Sequence, residues 1–472
     1  MLDMLTGIPI VNIDKELCTG CRRCAEVCPV DAIEGEEGKP QSINADKCIM
    51  CGQCVQMCKG YESVYDQVPT PMSKRLFDRG LLNDVDEPLF AAYNMSQIKE
   101  VKDILKNRDV FKIVQCAPAV RVALGEDFGM PLGTLTPGKM AAALRKLGFD
   151  RVYDTNFGAD LTIMEEGSEL LKRITEGGVL PMFTSCCPAW VKYLEQTCPE
   201  LLPHLSTCKS PQQMAGVIFK TYGAQVDKVD PAKMYTVSVM PCTCKEFECE
   251  REEMQDSGYR DVDIAITTRE LAYLLKDANI DFNRLDEEEF DSPLGIYTGA
   301  GTIFGSTGGV MEAALRTGYE LYTKKPIPRI DLTMVRGGEG FRVAQVDLGD
   351  FRLKVAVVSG LKHVKEVLKS VKNGKCHIHF IEVMSCPQGC ISGGGQPKII
   401  FEADKERAYS RRKEGLYVHD SNLSIRKSHE NPAIKKVYED FLGEPLGYRS
   451  HELLHTEYKN RKRENSQCKI VS

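Results

Sequence analysis

At 472 residues the chain is long enough for two or three domains and a sizeable core, so its size excludes no class of function. With 61 basic and 67 acidic residues in a mixed pattern, the net charge of −6 recommends neither nucleic acid nor an anionic membrane as a partner. The 20 cysteines are the feature that needs a chemical purpose, because cysteine is easily oxidised and is a soft metal ligand.

Met1 to Cys18 lacks a basic n-region, a long apolar run and a twin-arginine signal, and no later stretch reads as a transmembrane helix. The cysteines are therefore expected to be metal ligands in a reducing cytoplasm rather than disulfide partners.

Eight of them fall in the first 58 residues: Cys18, Cys21, Cys24 and Cys28, then Cys48, Cys51, Cys54 and Cys58. This is the doubled spacing of bacterial two-cluster ferredoxins, in which the last ligand of each run crosses to the other cluster. By that rule Cys18, Cys21, Cys24 and Cys58 hold one 4Fe-4S cluster, and Cys48, Cys51, Cys54 and Cys28 hold the other. Paired C-x-x-C motifs also build zinc sites, but two tight runs of four favour iron and sulfur. Residues 1–65 are expected to form a small α+β ferredoxin-like domain, whose business is electron transfer.

Residues 66–110 turn charged and helix-prone and are expected as a helical linker. Beyond Phe111, apolar runs such as Tyr235 to Cys242, Leu353 to Gly360 and His377 to Met384 alternate with amphipathic helical patterns, which predicts α/β lobes with largely parallel sheets. Residues 461–472 read as a polar tail.

Three further cysteine segments lie in this region: Phe183 to Trp190 (FTSCCPAW), Met240 to Glu248 (MPCTCKEFE) and Glu382 to Pro397 (EVMSCPQGCISGGGQP). Cys386 and Cys390, beside Gly393, Gly394 and Gly395, suit close approach of backbone to a bulky cofactor. One cysteine from each of the other segments completes four thiolates for another cubane. Adjacent cysteines seldom both ligate one cluster, so one of Cys186 and Cys187 is left for other work.

These motifs, in this order and at similar separations from about Val114 onward, resemble the FeFe-hydrogenases. The resemblance implies that residues 111–460 are a two-lobed α/β catalytic domain with a small-subunit-like carboxyl-terminal segment. It also implies an H-cluster: a 4Fe-4S cube joined to a diiron unit bearing carbonyl, cyanide and azadithiolate. Matched motif to motif, Cys187, Cys242, Cys386 and Cys390 hold the cube, with Cys390 shared with the diiron unit. Cys186 is then the proton-carrying thiol, followed by Glu166, Ser206 and Glu169 with Arg173 near the exit. Glu166, Glu169 and Arg173 stand at i, i+3 and i+7, one face of a helix. Lys245 matches a cyanide partner, Met240 and Met384 pack around the cluster, and Ala117, Pro118, Pro211 and Gln212 line the diiron ligands. The implied activity is reversible oxidation of dihydrogen to protons and electrons, exchanged with a ferredoxin or flavodoxin through the two 4Fe-4S clusters. Maturation proteins would insert the diiron unit, and a monomer is expected.

The chain departs from the commonest pattern at Ala119, Ala189, Cys244 and Gln388. Cys244 reads either as a second thiol able to pair under oxidation or as a small buried hydrophobe. Cys116, Cys198, Cys208, Cys249, Cys376 and Cys468 match no ligand pattern. His451 and His455 fit the H-E-x-x-H zinc motif but sit in a polar terminal helix, and Gly299, Gly301 and Gly305 lack dinucleotide spacing and read as a tight turn. A hydrogen sensor, an Fe–S assembly protein and a subunit of an electron-bifurcating complex are the rival readings.

Overall fold

A computed structural model describes residues 10–59 and 90–462. The expected linker between 66 and 89, the polar tail beyond 462 and Cys468 lie outside the described residues.

The amino-terminal unit pairs strand β1 (Val11–Ile13) with β4 (Ala92–Asn94) and β2 (Ile33–Glu34) with β3 (Ser42–Ile43), both antiparallel. Each cysteine run feeds a five-residue helix, Arg23–Val27 or Gln53–Met57, entered through a left-handed residue, Arg22 or Gly52. Helices this short do not stand alone in water; ligation and mutual packing must hold them. The strand β4 corrects the expected helical linker. Its three residues carry no strand periodicity of their own, and pairing with β1 decides their conformation. Only Ile98–Lys106 of the described part of that stretch is helical.

The remaining chain builds two four-stranded sheets. In the first, β6 (Arg151–Asp154), β5 (Phe111–Cys116), β8 (Met234–Met240) and β9 (Ile264–Thr267) lie side by side in that order, all parallel. In the second the order is β10 (Gly340–Asp347), β11 (Arg352–Ser359), β12 (Phe380–Met384) and β7 (Met182–Phe183), with only the β10–β11 pair antiparallel. Parallel strands are covered on both faces, which is why Ile113, Val114, Gln115 and Cys116, or Val237, Ser238 and Val239, are all buried without alternation. This is the two-lobed α/β architecture expected, with the three apolar runs realised as β8, β11 and a shorter β12.

The helix Thr155–Glu176 is buried along most of its length. Asp154 caps it by accepting from the Asn156 N–H, and the same carboxylate takes both 2.7 Å bonds from Arg121, so two buried charges compensate each other. A Cβ on Gly158 would lie 2.2 Å from the Pro211 carbonyl oxygen, so glycine lets the helix Pro211–Ile218 cross closely. Among the described residues no helix is long and apolar enough to cross a membrane.

Candidate active site

The loops leaving the carboxyl ends of β5, β7, β8 and β12 converge, as sites in α/β proteins do. A cavity is lined by Cys187, Cys242, Cys386 and Cys390, by Cys186, and by every other residue expected at the cofactor: Ala117, Pro118, Pro211, Gln212, Met240, Lys245 and Met384. Local chemistry sets the thiols' positions. Cys187 precedes Pro188, the first residue of the helix Pro188–Thr197, where the missing N–H of proline costs nothing.

Burial, and then the neighbouring thiols, push the Cys242 thiol up to about 12 and raise Cys386 and Cys390 as well. Buried thiolates so close together need a cation among them, which is the donor set of an iron–sulfur cube. The backbone makes room: a Cβ on Gly389, at φ +89°, would meet the Thr307 nitrogen at 2.5 Å. The glycine run does more than expected, since Gly393 lines the cavity and the run also packs against protein backbone. A Cβ on Gly393 would lie 2.0 Å from the Pro241 oxygen, and one on Gly394 would lie 2.5 Å from the Cys51 oxygen. These glycines mainly let protein backbone approach protein backbone.

Lys245 Nζ donates to Glu248 Oε2 (2.8 Å) and Ser210 Oγ (2.7 Å) at the cavity wall. Burial works against its charge, but Glu248 outweighs it and holds the ammonium pKa above its usual value. Glu248 also accepts from Gln212, whose own oxygen takes the Ser238 hydroxyl at 2.7 Å. Sequence reasoning missed Glu248, although it follows Lys245 by three residues on the helix Cys244–Cys249. It also missed Thr155, Phe304 and Ser385 in the lining and Glu382 behind it. Glu382 accepts the Gly308 and Met311 N–H groups at 2.6 and 2.7 Å, and burial pushes it up to about 7.

The five residues expected to move protons form one spatial series. Burial, and then the Glu166 carboxylate, raise Cys186 well above the ordinary thiol range. Glu166 is itself fully buried, and neither oxygen has a hydrogen-bond partner among the described residues. Burial, then Glu169, push it up to about 8; the nearby Ser185 N–H and Ser206 hydroxyl offset this only in part. Ser206 Oγ donates to Glu169 Oε2 at 2.8 Å, and Arg173 pairs with Glu169 at 2.6 Å while also binding the Val179, Pro203 and Leu205 carbonyls.

A family profile described as iron only hydrogenase large subunit, C-terminal domain, matches residues 111–394. The chain belongs to the iron-only hydrogenases. Profiles for the iron hydrogenase small subunit and a 4Fe-4S dicluster domain match residues 405–461 and 10–59. The chain is 49% identical over 438 residues to subunit HndD of the NADP-reducing hydrogenase of Solidesulfovibrio fructosivorans, covering 89% of this chain and 74% of the relative. It is 48% identical over 422 residues to the periplasmic Fe hydrogenase large subunit of Nitratidesulfovibrio vulgaris, covering 89% of this chain and 94% of the relative. Structures of FeFe-hydrogenase HydA1 variants from Chlamydomonas reinhardtii superpose with a TM-score of 0.69 at 42% identity, covering 78% of this chain and all of theirs.

As an iron-only hydrogenase the protein is an oxidoreductase that activates hydrogen and carries 4Fe-4S clusters and the H-cluster. The amino-terminal donor sets fit such clusters. Cys28, Cys48, Cys51 and Cys54 line one cavity, while Cys18, Cys58 and Cys21 crowd Cys24, whose thiol burial and those neighbours push up to about 11. Backbone N–H groups already point at sulfur: Gln41 at Cys18 (3.4 Å), Ala32 at Cys28 (3.2 Å), Met50 at Cys48 (3.3 Å) and Ala92 at Cys58 (3.3 Å).

The unusual positions of this hydrogenase have distinct surroundings. Ala119 lines the cavity wall and Ala189 is buried. Cys244 is buried in an apolar cluster with Ala189, Phe247 and Cys51, the environment of a small hydrophobe. Gln388 sits at φ +66°, backbone that suits glycine and strains a side-chain-bearing residue by about 1–2 kcal/mol. The expected turn around Gly299 is instead a short helix, Gly299–Ile303, whose glycines pack against Asp420 and Asn156. In the H-E-x-x-H motif His451 is exposed, while His455 is buried and bonded to Glu165 and Thr207, so the two do not chelate together.

Proposed function

We propose that this protein catalyses reversible oxidation of dihydrogen and exchanges the electrons with an acidic one-electron carrier, a ferredoxin or flavodoxin, through its two amino-terminal 4Fe-4S clusters. Cys187, Cys242, Cys386 and Cys390 would hold the cube of the H-cluster, and the bound H-cluster supplies hydrogen cleavage and the first electron sink. The observation that carries this reading is the cavity that gathers these thiols with Cys186 at the head of a buried acid–hydroxyl–acid series.

The chain's own residues do the rest. Cys186 exchanges a proton with the cofactor side of the cavity and with Glu166, which burial keeps proton-bearing near neutral pH. The Ser206 hydroxyl passes a proton to Glu169, and Arg173 holds that carboxylate at the partly exposed end. Lys245 and Gln212 orient polar ligands at the wall, and Met240 and Met384 keep water out.

For electrons, the Cys51–Gly52 turn lies against Gly394, and Thr243 Oγ1 donates to the Met50 carbonyl, tying one amino-terminal cluster loop to the loops of Cys242 and Cys390. Cys21 is exposed. Lys354, Lys362, Lys365 and Lys375 line an open groove, and Lys362 reaches the Glu26 carbonyl between Cys24 and Cys28. That charge suits an acidic carrier. Maturation proteins would insert the diiron unit, and we place the chain in the cytoplasm as a monomer.

A second reading is favoured by the relative named as a subunit of an NADP-reducing hydrogenase: electrons would pass to partner subunits. Stopped-flow mixing of the matured, hydrogen-reduced protein with a small ferredoxin separates the two. Rapid ferredoxin reduction, weakened by salt, supports the direct carrier; slow, salt-independent reduction favours partner subunits.

A further inference from the structure

Cys208, His455 and Glu165 are buried side chains that the proton series does not use, and the first two meet it at Glu169. One donor atom from each of Glu169, Cys208 and His455 lies within 4.8 Å of the others. Cys208 Sγ is 3.9 Å from Glu169 Oε2 and 4.0 Å from His455 Nδ1. Ligands of a tetrahedral zinc ion, bonded at roughly 2.0–2.3 Å, stand about 3.3–3.6 Å apart, so the two Cys208 contacts need to close by only a few tenths of an ångström and the Glu169–His455 pair starts within 4.8 Å.

The imidazole is already set for ligation. His455 Nε2 lies 3.1 Å from Glu165 Oε2, and the same carboxylate accepts the Tyr438 hydroxyl and the Leu446 N–H. With that carboxylate accepting from Tyr438 and Leu446, Nε2 is the nitrogen placed to donate to it, which leaves Nδ1 facing Cys208 and the Thr207 hydroxyl, 2.7 Å away. A carboxylate behind the far nitrogen is the arrangement that fixes a metal-binding histidine. His455 thus belongs to a different donor set from the one its sequence motif suggested: His451 only stacks on it, with ring centroids 4.8 Å apart.

We propose that Glu169, Cys208 and His455 form a binding site for a borderline-soft divalent cation, zinc foremost, and that its occupation switches the enzyme down. On binding, the Cys208 thiol loses its proton to solvent as the sulfur–zinc bond forms, and no electron moves. Thr207 Oγ1 or a water takes the fourth position. Glu169 Oε2, which otherwise receives the Ser206 hydroxyl, becomes a metal ligand and leaves the proton series. The inhibition rests on the proton-relay reading above; the binding does not.

The test titrates anaerobic, matured, chelator-treated protein with zinc chloride while hydrogen evolution and zinc K-edge absorption are followed on the same samples. One equivalent should lower turnover by about tenfold or more, reversibly with EDTA, with one sulfur among the zinc neighbours and iron content unchanged. Cys208→Ala should turn over near the wild-type rate without zinc and lose the inhibition. Undiminished inhibition in Cys208→Ala, a zinc shell without sulfur, or iron lost in step with zinc uptake overturns the site. One-sulfur zinc uptake with unchanged turnover overturns the switch and locates the failure in the relay reading.

Discussion

Ser206 Oγ and the Arg173 guanidinium hold opposite oxygens of one carboxylate: Ser206 donates to Glu169 Oε2 at 2.8 Å and Arg173 to Oε1 at 2.6 Å. Glu169 therefore links a fully buried hydroxyl to a cation at the partly exposed end of the helix, whereas Glu166, one turn deeper, has no comparable partner. If protons travel this way, Ser206→Ala should cut turnover about 10²-fold without disturbing the cofactor. Hydrogen evolution normalised to carbonyl band intensity measures this, and an unchanged normalised rate would rule Ser206 out.

The buried Glu166 makes stability depend on pH in a defined direction. Its carboxyl is pushed up to about 8 in the folded protein from an ordinary 4.5. Between those values the folded chain keeps a proton that the unfolded chain has lost, so this residue's contribution to stability falls as pH rises through that window. The slope is at most about 1.4 kcal/mol per pH unit and flattens above the folded value. Glu166→Gln should remove that slope. Denaturation midpoints of both proteins, compared across this pH window, report it, and parallel curves would contradict the assignment.

How much of this was legible in the chain follows from how each feature is built. The eight amino-terminal cysteines could be read because cluster ligation constrains spacing along the sequence. The lobes could be read because strands buried on both faces leave unbroken apolar runs such as Val355 to Val358. The strand β4 could not, since Ala92–Asn94 depends on a partner some eighty residues earlier. Thr155 and Phe304 reach the site from separate elements and carry no motif, and the roles of Gly393 and Gly394 depend on which backbone happens to face them. Cys208 and His455 looked idle because their partners are brought together only by folding.

The Lys245–Glu248 pair is a buried ion pair whose partners also satisfy Ser210 and Gln212. Lys245→Met strands a buried carboxylate and should cost about 3–5 kcal/mol, whereas Lys245→Met with Glu248→Gln should cost clearly less. Chemical denaturation of the single and double variants tests it; equal losses would mean the pair is not coupled.

Gly394 lets the Cys51–Gly52 turn touch the loop that follows Cys390, the contact proposed to carry electrons. A side chain there would meet Cys51 and Gly52 backbone at 2.5 and 2.6 Å, and neither can yield by rotating. Gly394→Ala should slow hydrogen oxidation with an external carrier several-fold while leaving hydrogen–deuterium exchange, which needs no outside electrons, near the wild-type rate. A parallel loss of both activities would point to damage at the catalytic cavity instead.

In the proposed site Cys186 is the thiol that carries protons, beside a ligand set completed by Cys187. The direct measurement is infrared spectroscopy of matured Cys186→Ala combined with hydrogen turnover on the same sample. Retained carbonyl and cyanide bands with turnover reduced at least about 10²-fold is the expected result. Retained bands with full turnover would contradict the relay, and bands lost altogether would move Cys186 from proton carrier to cofactor support.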